Sequence, residues 1–194
     1  MCVLHILTYW AKVLPVKQGA TMSTLRTANL LGALAEEVSD RLNRLNKIHP
    51  NQTDSSSAAL NVIALYEGCS NNELSRALQL SHPATVRLID KLETEGAVER
   101  RETKDKRAVA LHLTRKGRGR AKEILVSRCA ALRDIVAQLS RRDQEQLSTL
   151  LEKLLRPLVK TEQDGDHICR LCDTVACPPD NCPVHQAALA VAAR

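Results

Sequence analysis

Apolar residues recur at intervals of three and four along most of the chain, which predicts a protein built mainly from α-helices. The first stripe predicts one long helix over 24–48, and its members are Ala28, Leu31, Ala35, Val38, Leu42 and Leu45. A second leucine-rich region over 115–160 predicts two more long helices, capped by Thr114 and by Ser140. A lone helix leaves such an apolar stripe in contact with water, so we expect these helices to pair with those of a second copy in a homodimer. A monomer that buries them in its own core is the alternative.

The region 55–113, between these long helices, predicts a smaller unit. Ser70 and Glu73 have the spacing of a capping box at the start of a short helix. A two-residue turn follows, and Ser81 is placed to cap the next helix. A short helix, a tight turn and a second helix predict a helix-turn-helix.

After Gly96 the hydrophobic period changes from that of a helix to that of a strand. Residues 97–101 and 108–113 alternate, and the inner face is expected to hold Val98, Val109, Leu111 and Leu113. The polar residues 102–107 lie between these two runs. The pattern therefore predicts a two-stranded hairpin with a basic tip, which is a wing beside the helix-turn-helix.

The formal net charge is +6, and it is concentrated in one part of the chain. Nine Lys or Arg residues and only two acids lie between Arg100 and Arg120. This field favours a polyanionic partner, and an ordinary solvated surface is the alternative. No apolar run is long enough to span a membrane, so we expect a soluble cytoplasmic protein. Neither a phosphate-binding glycine loop nor a nucleophile with an assigned base is apparent, so we expect no enzymatic activity.

Two segments carry a family resemblance. Asp105–Gly117, read as DKRAVALHLTRKG, and Arg87–Glu93, read as RLIDKLE, resemble the wing and the recognition helix of the MarR family of regulators. The resemblance covers about 24–160. It implies a mainly α winged helix-turn-helix with long dimerisation helices. A two-fold dimer spaces two recognition helices for a palindromic operator, so we expect a sequence-specific DNA-binding regulator, with a repressor favoured and an activator left open. The resemblance also implies an effector pocket between the dimer helices and the DNA-binding heads.

Residues at the start of a recognition helix come closest to base edges in the major groove. We therefore expect the DNA-binding residues of this helix to be Ser81, His82, Pro83, Val86, Arg87 and Lys91. Arg87 could contact guanine or a phosphate, and Val86 stands where the family commonly has a small polar residue. In the wing, Lys104 and Lys106 are expected to contact phosphates. The resemblance implies that Arg107 enters the minor groove and that Asp105 braces it.

Beyond the family's usual end, residues 161–194 form a cysteine-rich tail. Five side chains in it are candidate metal ligands: Cys169, Cys172, Cys177, Cys182 and His185. We expect four of these five to bind one metal centre. Zinc, an iron–sulfur cluster and a thiol or disulfide switch all remain open. Because the tail is otherwise acidic and proline-rich, we expect it to be loose unless a metal orders it. A metal or redox sensor that acts mainly through protein contacts is the alternative function.

These patterns divide the chain into three segments. Residues 1–21 are expected to be a poorly ordered extension, with Met22 as the native start. Residues 22–160 form the MarR-like part, and 161–194 form the tail.

Overall fold

The computed structural model describes residues 21–46, 52–102 and 109–193. Its helices are α1 (Met22–Asn46), α2 (Asp54–Leu65), α3 (Asn71–Leu78), α4 (His82–Thr94), α5 (Arg115–Val136), α6 (Arg141–Leu155), α7 (Glu162–Cys169) and α8 (Pro183–Ala192). The strands are β1 (Val98–Glu102) and β2 (Val109–Leu113). The mainly α fold class with a two-stranded wing is therefore confirmed. The predictions for residues 1–20 and for the wing tip fall outside the described residues. No described helix is long and apolar enough to cross a membrane.

The chain divides into two compact units, Met1–Asp40 and Arg41–Arg194. The described part of the first unit is helical, in agreement with the stripe of apolar residues that predicts a helix there. Several of its large apolar side chains are exposed, namely Met22, Leu30, Leu31 and Leu34.

The second unit has its main core where α2, α3 and α4 meet the hairpin. The largest fully buried side chains of this core include Leu60, Ile63, Leu74, Ile89, Leu92, Leu111 and Leu113. The predicted capping box is confirmed, because the hydroxyl of Ser70 accepts from Glu73 N and the Glu73 carboxylate accepts from Ser70 N. Gln79 turns the chain in the left-handed conformation with φ 52°. This turn brings α4 across α3 as a helix-turn-helix.

The wing pairs β1 with β2 in antiparallel register, from Val98 opposite Leu113 to Glu102 opposite Val109. The free edge of β2 is joined to the segment that follows α2, since Gly68 N donates to Leu111 O and Leu111 N donates to Cys69 O, both at 2.9 Å. Val109 was expected on the inner face but is exposed. Its place at the outer end of the hairpin carries it beyond the helices that cover Leu111.

The long helices after the wing begin where their caps predict. The Thr114 hydroxyl accepts from Gly117 N, and the Ser140 hydroxyl accepts from Asp143 N. None of the residues of α6, all of which are described, is buried. A single turn of 3₁₀ helix, Arg156–Leu158, follows α6. The leucines of α6 therefore form a largely solvent-facing surface in the single chain.

The tail is more regular than expected. It forms α7 and α8, whose small core contains Val159, Cys182, Val184 and Ala188. Gly165 lies buried inside α7. A Cβ atom built at this position would lie 3.0 Å from Ala188 Cβ, so glycine allows the two helices to approach closely. Small residues at this crossing and the thiols pack together, whereas the composition alone predicts a tail that is loose unless a metal orders it.

Candidate nucleic-acid interface and cysteine cluster

The recognition helix α4 has one face in the core and one face in solvent. Thr85, Ile89 and Leu92 are fully buried. On the opposite face His82, Pro83 and Arg87 are exposed, and Val86 is partly exposed. The burial of one face fixes the helix, so the other face is presented in a defined orientation.

Two side chains on the exposed face of α4 are uncommitted. Neither His82 nor Arg87 makes a hydrogen bond or ion pair with another residue in the part of the chain that the structure describes. Lys91, one turn after Arg87, lies 3.9 Å from Glu95 in an i, i+4 ion pair. The first two turns of α4 therefore offer free donors to an external partner.

Ser81 precedes α4 as predicted, but its side chain makes no capping hydrogen bond. The backbone carbonyl of Ser81 serves the first turn instead, because it accepts from Thr85 N at 3.0 Å and from the Thr85 hydroxyl at 3.2 Å. Pro83 lies in the first turn, where a missing N–H leaves no helix hydrogen bond unmade. The expectation of a Ser81 side-chain cap was therefore wrong, and its hydroxyl is exposed.

The C-terminal end of α4 is fastened to α5. Arg120 Nη1 lies 2.5 Å from Glu95 Oε2 in a largely buried ion pair, and Lys116 Nζ donates to the Glu95 carbonyl at 2.7 Å. Arg120 Nη2 is buried and has no hydrogen-bond partner among the described residues. Sequence reasoning missed this role, since it counted both basic residues as part of the interface charge.

The basic field between Arg100 and Arg120 is smaller in the structure than in the sequence. Four of its arginines pair with acids that lie outside this stretch: Arg100 with Asp90 and Glu93, Arg101 with Glu99, Arg118 with Glu67, and Arg120 with Glu95. Arg115 is exposed and has no such partner in the described residues. The predicted site residues Lys104, Asp105, Lys106 and Arg107 lie outside the described residues.

The tail brings together Cys169, Cys172, Cys177 and Cys182, which we call the cysteine cluster. The thiol of Cys169, at the end of α7, lies close enough to those of Cys172 and Cys182 to interact with both, and Cys177 interacts likewise with Cys182. All four are free thiols. Among the described residues, however, no three His, Cys, Asp or Glu side chains converge in the geometry of metal ligands. His185 is exposed and interacts electrostatically with Asp166.

The surroundings of the thiols give them different pKa values. Interaction with the Cys169 thiol, aided by the guanidinium groups of Arg128 and Arg170, lowers the pKa of Cys172 to about 7. Burial raises the pKa of Cys177 to about 11. Burial likewise raises the pKa of Cys69, outside the cluster, to about 11. Within this set, Cys172 is the thiol with the most thiolate character at neutral pH.

The tail is attached to the helix-turn-helix by two hydrogen bonds that sequence reasoning missed. The side-chain amide of the buried Asn61 in α2 donates to Arg170 O at 2.9 Å. His167 Nδ1 lies 3.2 Å from Ala77 O in α3. Asn61 is the one polar residue in the run from Ala58 to Leu65, and that exception is a signal from which the contact could have been suspected.

The comparisons with known proteins place the central region in a family. Residues 53–108 match the model described as MarR family. The transcriptional repressor MprA of Escherichia coli K12 is 39% identical over 95 residues, which cover 48% of this chain and 54% of that protein. The chain thus matches about half the length of this curated relative.

Solved structures show the same fold. A MarR family protein from Bacillus stearothermophilus matches with a TM-score of 0.63 at 23% identity, over 71% of this chain and 96% of that one. Streptococcus pneumoniae FabT, solved in complex with DNA, matches with a TM-score of 0.61 at 20% identity, over 67% and 93%. The curated relatives are named as transcription regulators. Residues 53–108 are thus similar to the MarR family, and the chain shares the winged-helix fold of the matching solved structures.

Proposed function

We propose that the protein is a transcription repressor that binds duplex DNA in a sequence-specific manner. The observation that carries this proposal is the face of α4 on which His82 and Arg87 are exposed and uncommitted, above the buried Thr85 and Ile89. A helix held by one face and free on the other can enter the major groove, which is wide enough to admit it. MprA is named as a repressor, and FabT, with the same fold, was solved with DNA.

Each predicted residue has a role on DNA. His82, Pro83, Val86 and Arg87 approach base edges in the major groove. Ser81 and Lys91 contact phosphates, because the hydroxyl of Ser81 is exposed at the positive end of the helix dipole. In the wing, Lys104 and Lys106 contact phosphates, and Arg107, braced by Asp105, enters the minor groove.

The repressor acts as a homodimer on a palindromic operator. Its interface with a second copy includes α6, where Leu150, Leu151, Leu154 and the following Leu158 are 43–59% exposed in the single chain. Exposed leucines on one helix form an apolar surface of the kind that interfaces between copies bury. A two-fold axis through such an interface gives each half-site of a palindrome one α4.

The cysteine cluster links this activity to a metal or redox signal, with zinc or an iron–sulfur cluster as the candidate cofactor and His185 as a fifth candidate ligand. A small-molecule or redox effector therefore acts through the tail or through a pocket near the dimer helices. The place of action is the bacterial cytoplasm, where the DNA lies.

Fluorescence anisotropy with the DNA upstream of the gene tests the proposal at several salt concentrations. We expect tight binding that weakens steeply with salt, and that an unrelated duplex competes for poorly. Arg87→Ala should weaken specific binding, whereas Arg141→Ala should not, because the side chain of Arg141 is 94% exposed on α6 and pairs with Glu145 on the same helix. Equal affinity for both duplexes would contradict sequence-specific repression.

Sedimentation equilibrium tests the dimer with the double variant Leu151→Glu and Leu154→Glu. Charge on this surface should give a folded monomer with weakened DNA binding. A wild-type monomer that still binds the operator tightly would exclude the dimer.

A further inference from the structure

We propose that Cys169, Cys172, Cys177 and Cys182 together hold one thiophilic metal centre, without His185, and that this centre is anchored on the helix-turn-helix. The anchoring of the centre on the helix-turn-helix rests on the proposed function, because it concerns DNA affinity. The four-cysteine metal centre is argued from the residues of the tail alone. A zinc ion and an iron–sulfur cluster share the chemistry in question, which is coordination by four thiolates.

The four thiols form a chain of neighbours around the junction of α7 and α8. Cys169 is the last residue of α7, and Cys182 is the N-cap of α8, so two helix ends hold the central pair. Cys172 and Cys177 lie in the connecting segment, each beside one of these two, and they also interact electrostatically with each other. The sulfurs do not converge on one point, so binding must draw them to about 2.3 Å from a single zinc or to the irons of one cluster. Side chains on the connecting segment can rotate inward while the helix ends stay in place.

His185 lines two cavities, and the cysteine cluster borders only one of them. His185 is exposed in the first turn of α8 and lines a cleft of about 600 Å³ together with Glu162 and Asp166. Its electrostatic partner there is the Asp166 carboxylate. His185 also borders the smaller cavity that the cysteine cluster lines, so its variant belongs in the test. Four cysteine thiolates already complete the tetrahedral coordination of one zinc ion or the protein ligands of one iron–sulfur cluster, so the centre needs no histidine.

The charges around the cluster favour four thiolates. A divalent ion with four thiolates carries a net charge of −2, and two guanidinium groups, those of Arg128 and Arg170, lie within electrostatic range of Cys172. Arg128 is half-buried on α5 and makes no hydrogen bond or ion pair in the region that the structure describes. Burial disfavours the charge of Arg128, and an anionic metal centre beside it adds to the negative charge that Asp54 already provides.

The cluster is attached to the DNA-binding unit on both sides of Cys169. His167, two residues before it, lies 3.2 Å from the carbonyl of Ala77 in α3. The carbonyl of Arg170, one residue after it, accepts from Asn61 in α2 at 2.9 Å. Leu171 also packs against the main core. Any movement that gathers the thiols therefore pulls on α3, the helix that leads through its C-terminal turn into α4.

Metal analysis of the full chain, purified without oxygen, tests the four-thiolate site. We expect one zinc ion, or iron with acid-labile sulfide, per chain, and after Co²⁺ replacement the intense near-ultraviolet absorption of thiolate-to-cobalt charge transfer. Serine at any of the four cysteine positions should lower the metal content, and Cys129→Ser and His185→Ala should leave it unchanged. A chain without stoichiometric metal, or one that loses it in His185→Ala, overturns the assignment.

Operator affinity, measured with and without the metal, tests the anchoring. We expect the two forms of the wild type to differ by about fivefold or more. His167→Ala should keep the metal and lose this difference, and Asn61→Ala should do the same where it folds. Equal affinities in the two wild-type forms overturn the anchoring. If neither form binds DNA, the proposed function fails, and the metal result stands or falls separately.

Discussion

Arg100 in β1 donates a hydrogen bond from Nη2 to Asp90 Oδ1 in the recognition helix α4, at 2.6 Å. The same guanidinium also pairs with Glu93, one turn further along α4. Arg100 thus bridges the wing and the recognition helix. In the sequence Arg100 counts toward a basic field for DNA, but in the structure its charge joins the wing to α4.

We expect Arg100→Ala to weaken operator binding about tenfold while the free energy of unfolding falls by less than about 1 kcal/mol. Exposed ion pairs contribute little to stability, but a wing that is misplaced by an ångström loses its contacts in the groove. Arg101→Ala is the matched control, because it removes the same charge from the next residue, whose partner Glu99 lies on the same strand. Equal losses of affinity in the two variants would show that only the charge matters.

Much of the fold follows from local patterns. The helix-turn-helix could be predicted because Ser70 and Glu73 act through their own neighbours in the chain, and both have the predicted role. The partners of charged and buried polar residues could not be predicted. Arg120 meets Glu95 across 25 residues, and Asn61 meets Arg170 across 109, so only the folded chain brings them together.

The tail shows the limit of composition as a guide. Its acids and prolines predict a loose segment, yet Gly165 in α7 and Ala188 in α8 allow two short helices to pack closely. Pro183 lies in the first turn of α8, where proline favours a helix start. The places of these glycine, alanine and proline residues in the tail therefore decide its structure more than its overall composition does.

Gly117 and Gly119 in α5 should respond in opposite directions to alanine. A Cβ at Gly117 would lie 1.9 Å from the backbone oxygen of Ala97, which no side-chain rotation relieves, whereas nothing lies within 4 Å of a Cβ at Gly119. We expect Gly117→Ala to destabilise the protein by about 3 kcal/mol or more. Gly119→Ala should stabilise it by up to about 1 kcal/mol, because alanine favours a helix interior. Urea unfolding measures both, and equal midpoints would contradict the close approach of α5 to Ala97.

The capping box of α3 should make stability depend on pH. Hydrogen bonds from the Ser70 backbone N–H and hydroxyl lower the pKa of Glu73 below its ordinary value of 4.5. A lowered folded-state pKa contributes stability that is fully present above about pH 4.5 and is lost as the pH falls through the folded value. We expect Ser70→Ala to cost about 1 kcal/mol at pH 7 and less at pH 3.

Thermal unfolding of the wild type, Ser70→Ala and Glu73→Gln between pH 3 and pH 7 measures this dependence. Glu73→Gln keeps an acceptor but no titrating group, so its loss of stability relative to the wild type should shrink toward low pH. A constant difference at all pH values would show that the charge of Glu73 contributes nothing.

The wing tip provides the last prediction. The strands bring Glu102 and Val109 opposite each other, and both residues are exposed, so the tip that joins them begins outside the core. We expect Arg107→Ala to cost roughly 1–3 kcal/mol of specific binding, because the negative potential of the minor groove attracts a guanidinium. The melting temperature should not change. Lys104→Ala, as a phosphate-contact control, should instead weaken binding to all duplexes alike and reduce the salt dependence by about one ion. Operator affinities measured at one fixed salt concentration decide the matter, since an unchanged affinity in Arg107→Ala excludes the minor-groove role.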